Sequence, residues 1–212
     1  MIFSNYKKHF KNKNWIWSSI LGLILLAASL VVDFYAGRYA NGAVSNSVSD
    51  IILSNIRVFD VDGIFIYGPM IFWLVVFYLA LSKLNRVPFI AKSVALFIIT
   101  RAVFISLTHI GSFPTHLIIS APPIFGLFSY YGDLFFSGHT GLPFLMALIF
   151  WNNKFLRILF IFTSIFFGVI VLLGHLHYSI DVLGAFFITY TIYHIATQIF
   201  KKDKLLFDAE IE

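Results

Sequence analysis

The chain has 212 residues, of which 59% are hydrophobic and only 12% are charged, and this composition excludes an ordinary soluble domain and favours an integral membrane protein. Cysteine is absent, which excludes disulfides and thiolate metal sites. The formal net charge is +5, but the basic residues cluster at the ends of apolar segments, so we expect no nucleic-acid partner.

Six apolar segments approach the length of about 20 residues that an α-helix needs to cross a bilayer. They are uninterrupted rather than alternating, which favours helices over a barrel. The first predicted span is followed by a polar segment whose spaced apolar residues predict a short amphipathic helix, and Asp50 would lie there near a substrate entrance. The fold class is therefore all-α, with six predicted transmembrane helices at 15–32, 64–81, 94–110, 141–151 (extended by a few residues at each end), 155–173 and 180–200.

The placement of lysine and arginine predicts the orientation of these helices. Basic residues precede the first span, lie between the second and third and between the fourth and fifth, and follow the sixth. The alternate loops hold only Arg38 and Arg57. Cytoplasmic loops carry the excess of positive charge, so we expect both termini in the cytoplasm. Residues 1–212 would form a single transmembrane catalytic domain with a core at about 45–200, a basic cytoplasmic N-terminus at 1–14 and a cytoplasmic tail at 201–212.

Two polar strings lie on the predicted outer side. His177 and Asp181 are four residues apart and share one face of a helix. A carboxylate in that position orients an imidazole and stabilises its cation, as a nucleophilic histidine requires. We therefore interpret His177 as a nucleophile that accepts a phosphoryl group and Asp181 as the residue that orients it.

The other string is Ser137-Gly138-His139-Thr140, directly before an apolar segment. Ser137 is a typical N-cap residue, and Gly138 allows an anion to approach the backbone N–H groups at the start of a helix. We expect Ser137 and Gly138 to help bind a phosphate, and His139 to be the general acid and base.

Two further residues are candidates for substrate binding. Arg101 lies inside the third predicted span, where a cation is costly; we interpret it as a phosphate clamp, the alternative being a structural ion pair with an aspartate. Asp133 would support His139, bind the acceptor hydroxyl or cap a turn. A metal site on His139, His177 and Asp181 is the weaker alternative, because Arg101 and the helix start already neutralise a phosphate. We therefore expect no metal and no cofactor.

The strings resemble motifs of the sphingomyelin synthase family, within the lipid phosphate phosphatase superfamily. Residues 132–140 resemble its Gly-Asp-x-x-x-Ser-Gly-His-Thr motif, and residues 173–182 resemble its His-x-His-Tyr-Thr-x-Asp-Val motif. Tyr131 stands where many members have cysteine, and Ser179 replaces threonine. The short chain favours a minimal, bacterial-type member.

This resemblance implies a phosphotransferase. A family member moves phosphocholine or phosphoethanolamine from a glycerophospholipid to a ceramide-like alcohol through a phosphohistidine, with diacylglycerol as the other product. Its catalytic triad maps onto His139, His177 and Asp181. Membrane lipids would be the partners, and the oligomeric state stays open.

Two alternatives remain. A lipid phosphate phosphatase or phospholipase C-like hydrolase shares the Ser-Gly-His and His-x₃-Asp elements, but Ile170 and Val171 occupy the places of its Ser-Arg pair, and the Lys-x₆-Arg-Pro string is missing from the sequence. A lipid transporter or scramblase would need polar groups on both sides of the membrane midplane.

Overall fold

The computed structural model describes residues 12–119 and 134–209. These residues form α-helices, one short 3₁₀ turn and irregular loops, and no strand occurs among them. The all-α prediction is therefore confirmed. In chain order the helices are α1 (Lys13–Gly42), α2 (Asp62–Ser82), α3 (Val87–Leu107, preceded by the 3₁₀ turn Leu84–Arg86), α4 (Gly138–Ile149), α5 (Lys154–Leu173), α6 (Ser179–Ile199) and α7 (Lys201–Asp208).

Within the described ranges, five helices are long and apolar enough to cross a membrane: α1, α2, α3 with its 3₁₀ turn, α5 and α6. Several apolar helices of this kind indicate an integral membrane protein. The fourth predicted span corresponds to α4, which has only 12 residues and is about 18 Å long at a rise of about 1.5 Å per residue. It is short because the chain turns at residues 150–153, where the Asn153 side chain caps α5 by accepting the Leu156 N–H.

The segment between α1 and α2 differs from its prediction. Helix α1 continues to Gly42, and residues 44–61 form loops with a turn at 51–56 rather than an amphipathic helix. Asp50 is the physical reason, because its Oδ1 accepts the backbone N–H groups of Ile52 and Leu53 at 2.8 and 3.0 Å. Such local side-chain bonds compete with helix formation.

Helix α1 packs lengthwise against α3 through small side chains. Gly22, Ser29, Ala36 and Ala40 are all buried, and a methyl group added at Gly22 would lie 3.3 Å from Cβ of Ala91. Small residues at an interface let membrane helices approach closely. The remaining faces of α1 are apolar and exposed, as expected for contact with lipid.

The ends of the helices define two ends of the bundle. The histidine end carries the loops 43–61, 108–119 and 174–178, and these loops are joined by backbone hydrogen bonds such as Ser45 N to His109 O at 2.7 Å and Phe59 N to Leu173 O at 2.9 Å. The opposite end carries α7, whose Phe207 is fully buried and contacts the rings of Phe89 and Phe150. The predicted tail, as far as residue 209, is therefore a packed element.

A buried ionic cluster attaches α7 to the bundle. Nζ of Lys92 lies 2.7 Å from Oδ2 of Asp203 and 2.6 Å from Oγ of Ser18. The side chains of Lys92 and Asp203 are only 6% and 10% exposed. The cluster therefore connects α1, α3 and α7 through charges that have almost no access to solvent.

Gly141 allows three helices to meet near the centre of the bundle. A methyl group on this α4 residue would lie 2.7 Å from ring atoms of Phe97 in α3 and 2.9 Å from Oγ1 of Thr189 in α6. We expect Gly141→Ala to destabilise the protein by about 1–3 kcal/mol, because overpacking forces neighbouring side chains to move. Thermal unfolding followed by tryptophan fluorescence measures the change.

Gly63→Ala is the matched control, because nothing lies within 4 Å of a methyl group at Gly63. It should leave the midpoint unchanged or raise it slightly, since alanine favours a helix. Equal midpoints for Gly141→Ala and the unmodified protein would contradict the packing of α3, α4 and α6 described above.

Candidate active site

The predicted histidine–aspartate pair lies where the chain enters α6. Asp181 is in the first turn of this helix, but His177 lies in the preceding loop, two residues before the helix begins at Ser179. The prediction that both residues share one face of a helix was therefore wrong for His177. Nδ1 of His177 lies 3.2 Å from Oδ2 of Asp181, and the same oxygen accepts the backbone N–H of Tyr178 at 3.0 Å. Asp181 is fully buried and His177 is 6% exposed. When Nδ1–H of a neutral imidazole is donated to a carboxylate, its lone pair lies on Nε2. The pair can therefore present Nε2 of His177 as a nucleophile, and this role remains a prediction.

The start of α4 lies directly beside this turn. Ser137 is the N-cap of α4, and its Oγ accepts the Thr140 N–H at 3.4 Å. The backbone N–H of Ser137 donates to the carbonyl oxygen of Asp181 at 3.2 Å. Although the two strings are about forty residues apart in the sequence, this hydrogen bond joins them at the histidine end of the bundle.

His139 is held between aromatic rings from α2 and α5. Its imidazole stacks on Phe65, with ring centroids 4.2 Å apart, and meets Phe167 edge to face. Its Nε2 lies 3.2 Å from the carbonyl oxygen of Phe65. Sequence reasoning missed both phenylalanines, because the chain contains 26 of them and spacing does not show which ones face a histidine.

Arg101 makes an ion pair with an aspartate, the structural alternative considered for it, and also lies near the start of α4; its role as a phosphate clamp remains a prediction. Its Nε donates to the carbonyl oxygen of Phe136 at 3.1 Å, and its Nη1 lies 3.7 Å from Oδ1 of Asp33 in α1. It also lies beside the start of α4, because a methyl group on Gly138 would be 3.5 Å from Nε of Arg101. The guanidinium therefore adds positive charge where the α4 N–H groups already favour an anion.

The start of α6 has the opposite electrostatic character. Oδ2 of Asp50 accepts both the backbone N–H and the hydroxyl of Ser179, at 2.7 and 2.8 Å. Burial alone would raise the pKa of Asp50, but hydrogen bonds from Leu53, Ser179 and Ile52 more than offset it and hold that pKa below its usual value. Asp181 and Asp50 thus place carboxylates at the start of α6, whereas Arg101 places a guanidinium at the start of α4. Asp50 is buried, with 7% exposed, and its predicted role at the substrate entrance remains a prediction.

Two neighbouring side chains connect the site to the loops. Tyr178 is buried, and its hydroxyl donates to the carbonyl oxygen of Gly111 at 2.7 Å and accepts the Val48 N–H at 3.2 Å. Burial raises the pKa of Tyr178. His175 has a φ of 52°, and its Nδ1 lies 2.7 Å from Oγ1 of Thr115. Burial lowers the pKa of His175 below its usual value, and the side chain is packed into the loops.

Asp133 and a metal site were also considered from the sequence. Asp133 lies outside the described residues. Within the described ranges, no group of three or more histidine, aspartate or glutamate side chains is arranged to hold a metal ion. The catalytic roles of His139, His177 and Asp181, and the binding roles of Arg101, Ser137 and Gly138, remain predictions that this geometry allows.

Comparison with known families gives one match. Residues 131–198 match the family model described as PAP2 superfamily C-terminal, and this region contains both histidine strings. The match supports the lipid phosphate phosphatase superfamily. Members of the PAP2 superfamily are generally enzymes that act on phosphate esters. No curated protein and no solved structure matches the chain significantly.

Proposed function

We propose that the protein is a membrane phosphotransferase that moves phosphocholine or phosphoethanolamine from a glycerophospholipid to a ceramide-like alcohol. The observation that carries the proposal is the hydrogen bond from Ser137 N to Asp181 O. Through this bond the start of α4, with the guanidinium of Arg101 nearby, lies beside the His177–Asp181 pair, and we propose that the helix start binds the phosphate. Phosphoryl transfer needs both parts, a nucleophile and groups that stabilise negative charge on the phosphate oxygens.

In the first step, Nε2 of His177 attacks phosphorus and the bond between phosphorus and the diacylglycerol oxygen breaks. His139 donates a proton to that oxygen, and diacylglycerol leaves as an alcohol. Asp181 stabilises the positive charge that develops on His177. Arg101 and the N–H groups of α4 bind the non-bridging oxygens.

In the second step, His139 takes the proton of the acceptor hydroxyl, whose oxygen then attacks phosphorus. The phosphorus–nitrogen bond breaks and His177 returns to its starting state. Transfer requires that a lipid alcohol reach the phosphohistidine before water does. The aromatic walls that Phe65 and Phe167 form around His139 support such exclusion of water.

The proposal places the site at the outer face of a six-span protein. The histidine end would face outward because the opposite end carries a series of basic residues, and cytoplasmic loops are the basic ones. Arg101 also favours a phosphodiester over a monoester, since the monoester carries additional charge. Hydrolysis of a lipid phosphate is the second candidate, and the superfamily match favours it equally.

The decisive experiment uses purified protein in liposomes that contain phosphatidylcholine, phosphatidylethanolamine and phosphatidic acid with labelled ceramide and diacylglycerol. Mass spectrometry identifies the products. A phospho-headgroup on ceramide supports the transferase and identifies its donor. Free phosphate, or free phosphocholine without a ceramide product, would show a hydrolase. The reaction is run in parallel with His177→Ala. His194→Ala is the matched control for that variant, because His194 is an exposed histidine near the other end of α6.

Substitution of Arg101 tests the phosphate clamp. We expect Arg101→Gln to lower kcat/KM by about 10- to 100-fold, since hydrogen bonds to charged groups contribute about 1.5–3 kcal/mol. Arg101→Lys should restore only part of the activity, because lysine lacks the planar fork. The assay measures initial rates against the surface concentration of the donor lipid. Arg157→Gln, on the first turn of α5 at the opposite end, should leave these rates unchanged, and equal rates for Arg101→Gln would exclude the clamp.

A further inference from the structure

We infer that Asp50 is a positioning residue that fixes the first turn of α6, and with it the orientation of His177. This inference rests on the proposed function. It assigns to Asp50 a role in holding the nucleophile instead of a role at the substrate entrance.

The two oxygens of the Asp50 carboxylate have different tasks. Oδ1 accepts the N–H groups of Ile52 and Leu53 and so shapes the local turn. Oδ2 accepts the N–H and the hydroxyl of Ser179, which is 129 residues away in the chain. A turn needs only the first of these oxygens. The second is committed to the residue that lies between His177 and Asp181.

Asp60 shows what a merely local aspartate looks like in the same loop. Its Oδ1 accepts the N–H of Asp62 at 3.1 Å, and its surroundings are exposed. Asp50, by contrast, is 7% exposed. The burial of Asp50 and the long-range bonds from Ser179 therefore distinguish it from an ordinary turn residue.

The same loop also binds Tyr178, the N-cap residue of α6. Val48, two residues before Asp50, donates its N–H to the hydroxyl of Tyr178. Inside the turn, Asp181 accepts the Tyr178 N–H. The loop thus binds both residues that follow His177, while the carboxylate of Asp181 binds His177 itself. A shift of this loop would move the nucleophile relative to the start of α4.

Asp50→Asn tests the inference. The nitrogen of an amide cannot accept a hydrogen bond, so the side chain can accept either the N–H of Ser179 or the N–H groups of Ile52 and Leu53, but not both. Displacing a reacting group by about 1 Å costs up to about 100-fold in rate, and we expect kcat to fall by roughly 10- to 100-fold. The KM for the donor lipid should change by less than about threefold, because Asp50 does not contact the phosphate in this mechanism.

Two variants should keep full activity and a third should have an intermediate one. Asp60→Asn should keep wild-type kcat and KM. Ser179→Thr keeps both the N–H and a hydroxyl and should retain full activity, whereas Ser179→Ala, which loses one of the four hydrogen bonds, should have an intermediate kcat. If Asp50→Asn raised the KM for the donor lipid and left kcat unchanged, the inference would be overturned.

Hydrogen exchange provides a readout that does not depend on turnover. In Asp50→Asn, the backbone amides of residues 177–182 should exchange faster, while those of α3 and α5 keep their wild-type rates. Faster exchange throughout the bundle, or unchanged exchange at 177–182, would show that Asp50 has only a general structural role or none. If no lipid is turned over by the unmodified protein, the proposed function fails, and exchange still decides whether Asp50 holds this turn.

Discussion

Replacing His177 with alanine is expected to abolish turnover, with a loss of at least about 10³-fold in kcat. Without Nε2 no covalent phosphoryl-enzyme forms, and the two-step route is closed. The measurement combines initial rates in liposomes with trapping of a donor labelled in its phosphate, quenched in base. Label should remain on the unmodified protein and be missing from His177→Ala. A labelled His177→Ala protein would place the nucleophile elsewhere.

A substrate with a better leaving group distinguishes the role of His139 from that of His177. In a headgroup phosphodiester of nitrophenol, the nitrophenolate leaves without protonation. This substrate therefore does not need a general acid in the first step. We expect His139→Ala to release nitrophenolate in the first turnover at a substantial fraction of the normal rate, while the second step stays slow and His177→Ala releases none. Equal activity of the two variants on this substrate would contradict the division of roles between them.

Removal of one partner from the buried ionic cluster is expected to have the largest effect on stability. Asp203→Ala leaves Nζ of Lys92, now 2.7 Å from a carboxylate oxygen, buried without a countercharge. Breaking a buried pair in this way costs about 3–5 kcal/mol. Thermal unfolding in detergent, followed by the fluorescence of the four tryptophans, measures the loss. Thiol-reactive dyes cannot be used because the chain contains no cysteine.

The double variant Lys92→Met with Asp203→Leu gives the decisive comparison. Replacing both charges by apolar groups is often neutral or stabilising, so the double variant should recover most of the midpoint lost by Asp203→Ala. Asp208→Asn is the matched control in α7, because Asp208 pairs with Lys204 but is 37% exposed, and such pairs contribute about 0–1 kcal/mol. A double variant as unstable as the single one would refute this account of the cluster.

Local patterns predicted the local parts of the site well. The Ser137 cap follows from residue type and is present in the structure. The predicted contact between His177 and Asp181 is present as well, but it forms across the start of α6 and not along one face of a helix, because His177 precedes the helix. Apolar segments likewise predicted the helices, since burial in lipid requires long runs of such residues. The predicted extension of the fourth span beyond Trp151 was too long, because α4 ends at Ile149 and the Asn153 side chain already caps the next helix.

Long-range contacts were beyond the reach of the sequence. Asp50 and Ser179 are brought together only when the loops of the histidine end assemble, and no spacing rule connects residues 129 positions apart. The same holds for Asp33, which pairs with Arg101 from another helix. The amphipathic pattern at residues 44–61 was misleading because it does not account for the bonds that Asp50 makes to its own turn.

The contact of α1 with α3 has a consequence for biogenesis. Helix α3 carries two cations, Lys92 and Arg101, and a cation near the centre of a span costs about 2.5–3.5 kcal/mol on insertion. Both cations find partners in α1: Ser18 for Lys92 and Asp33 for Arg101. Because α1 is synthesised first, α3 can leave the translocon against a helix that already presents complementary polar groups. Helix α1 would thus assist the insertion of α3 by pairing with Lys92 and Arg101.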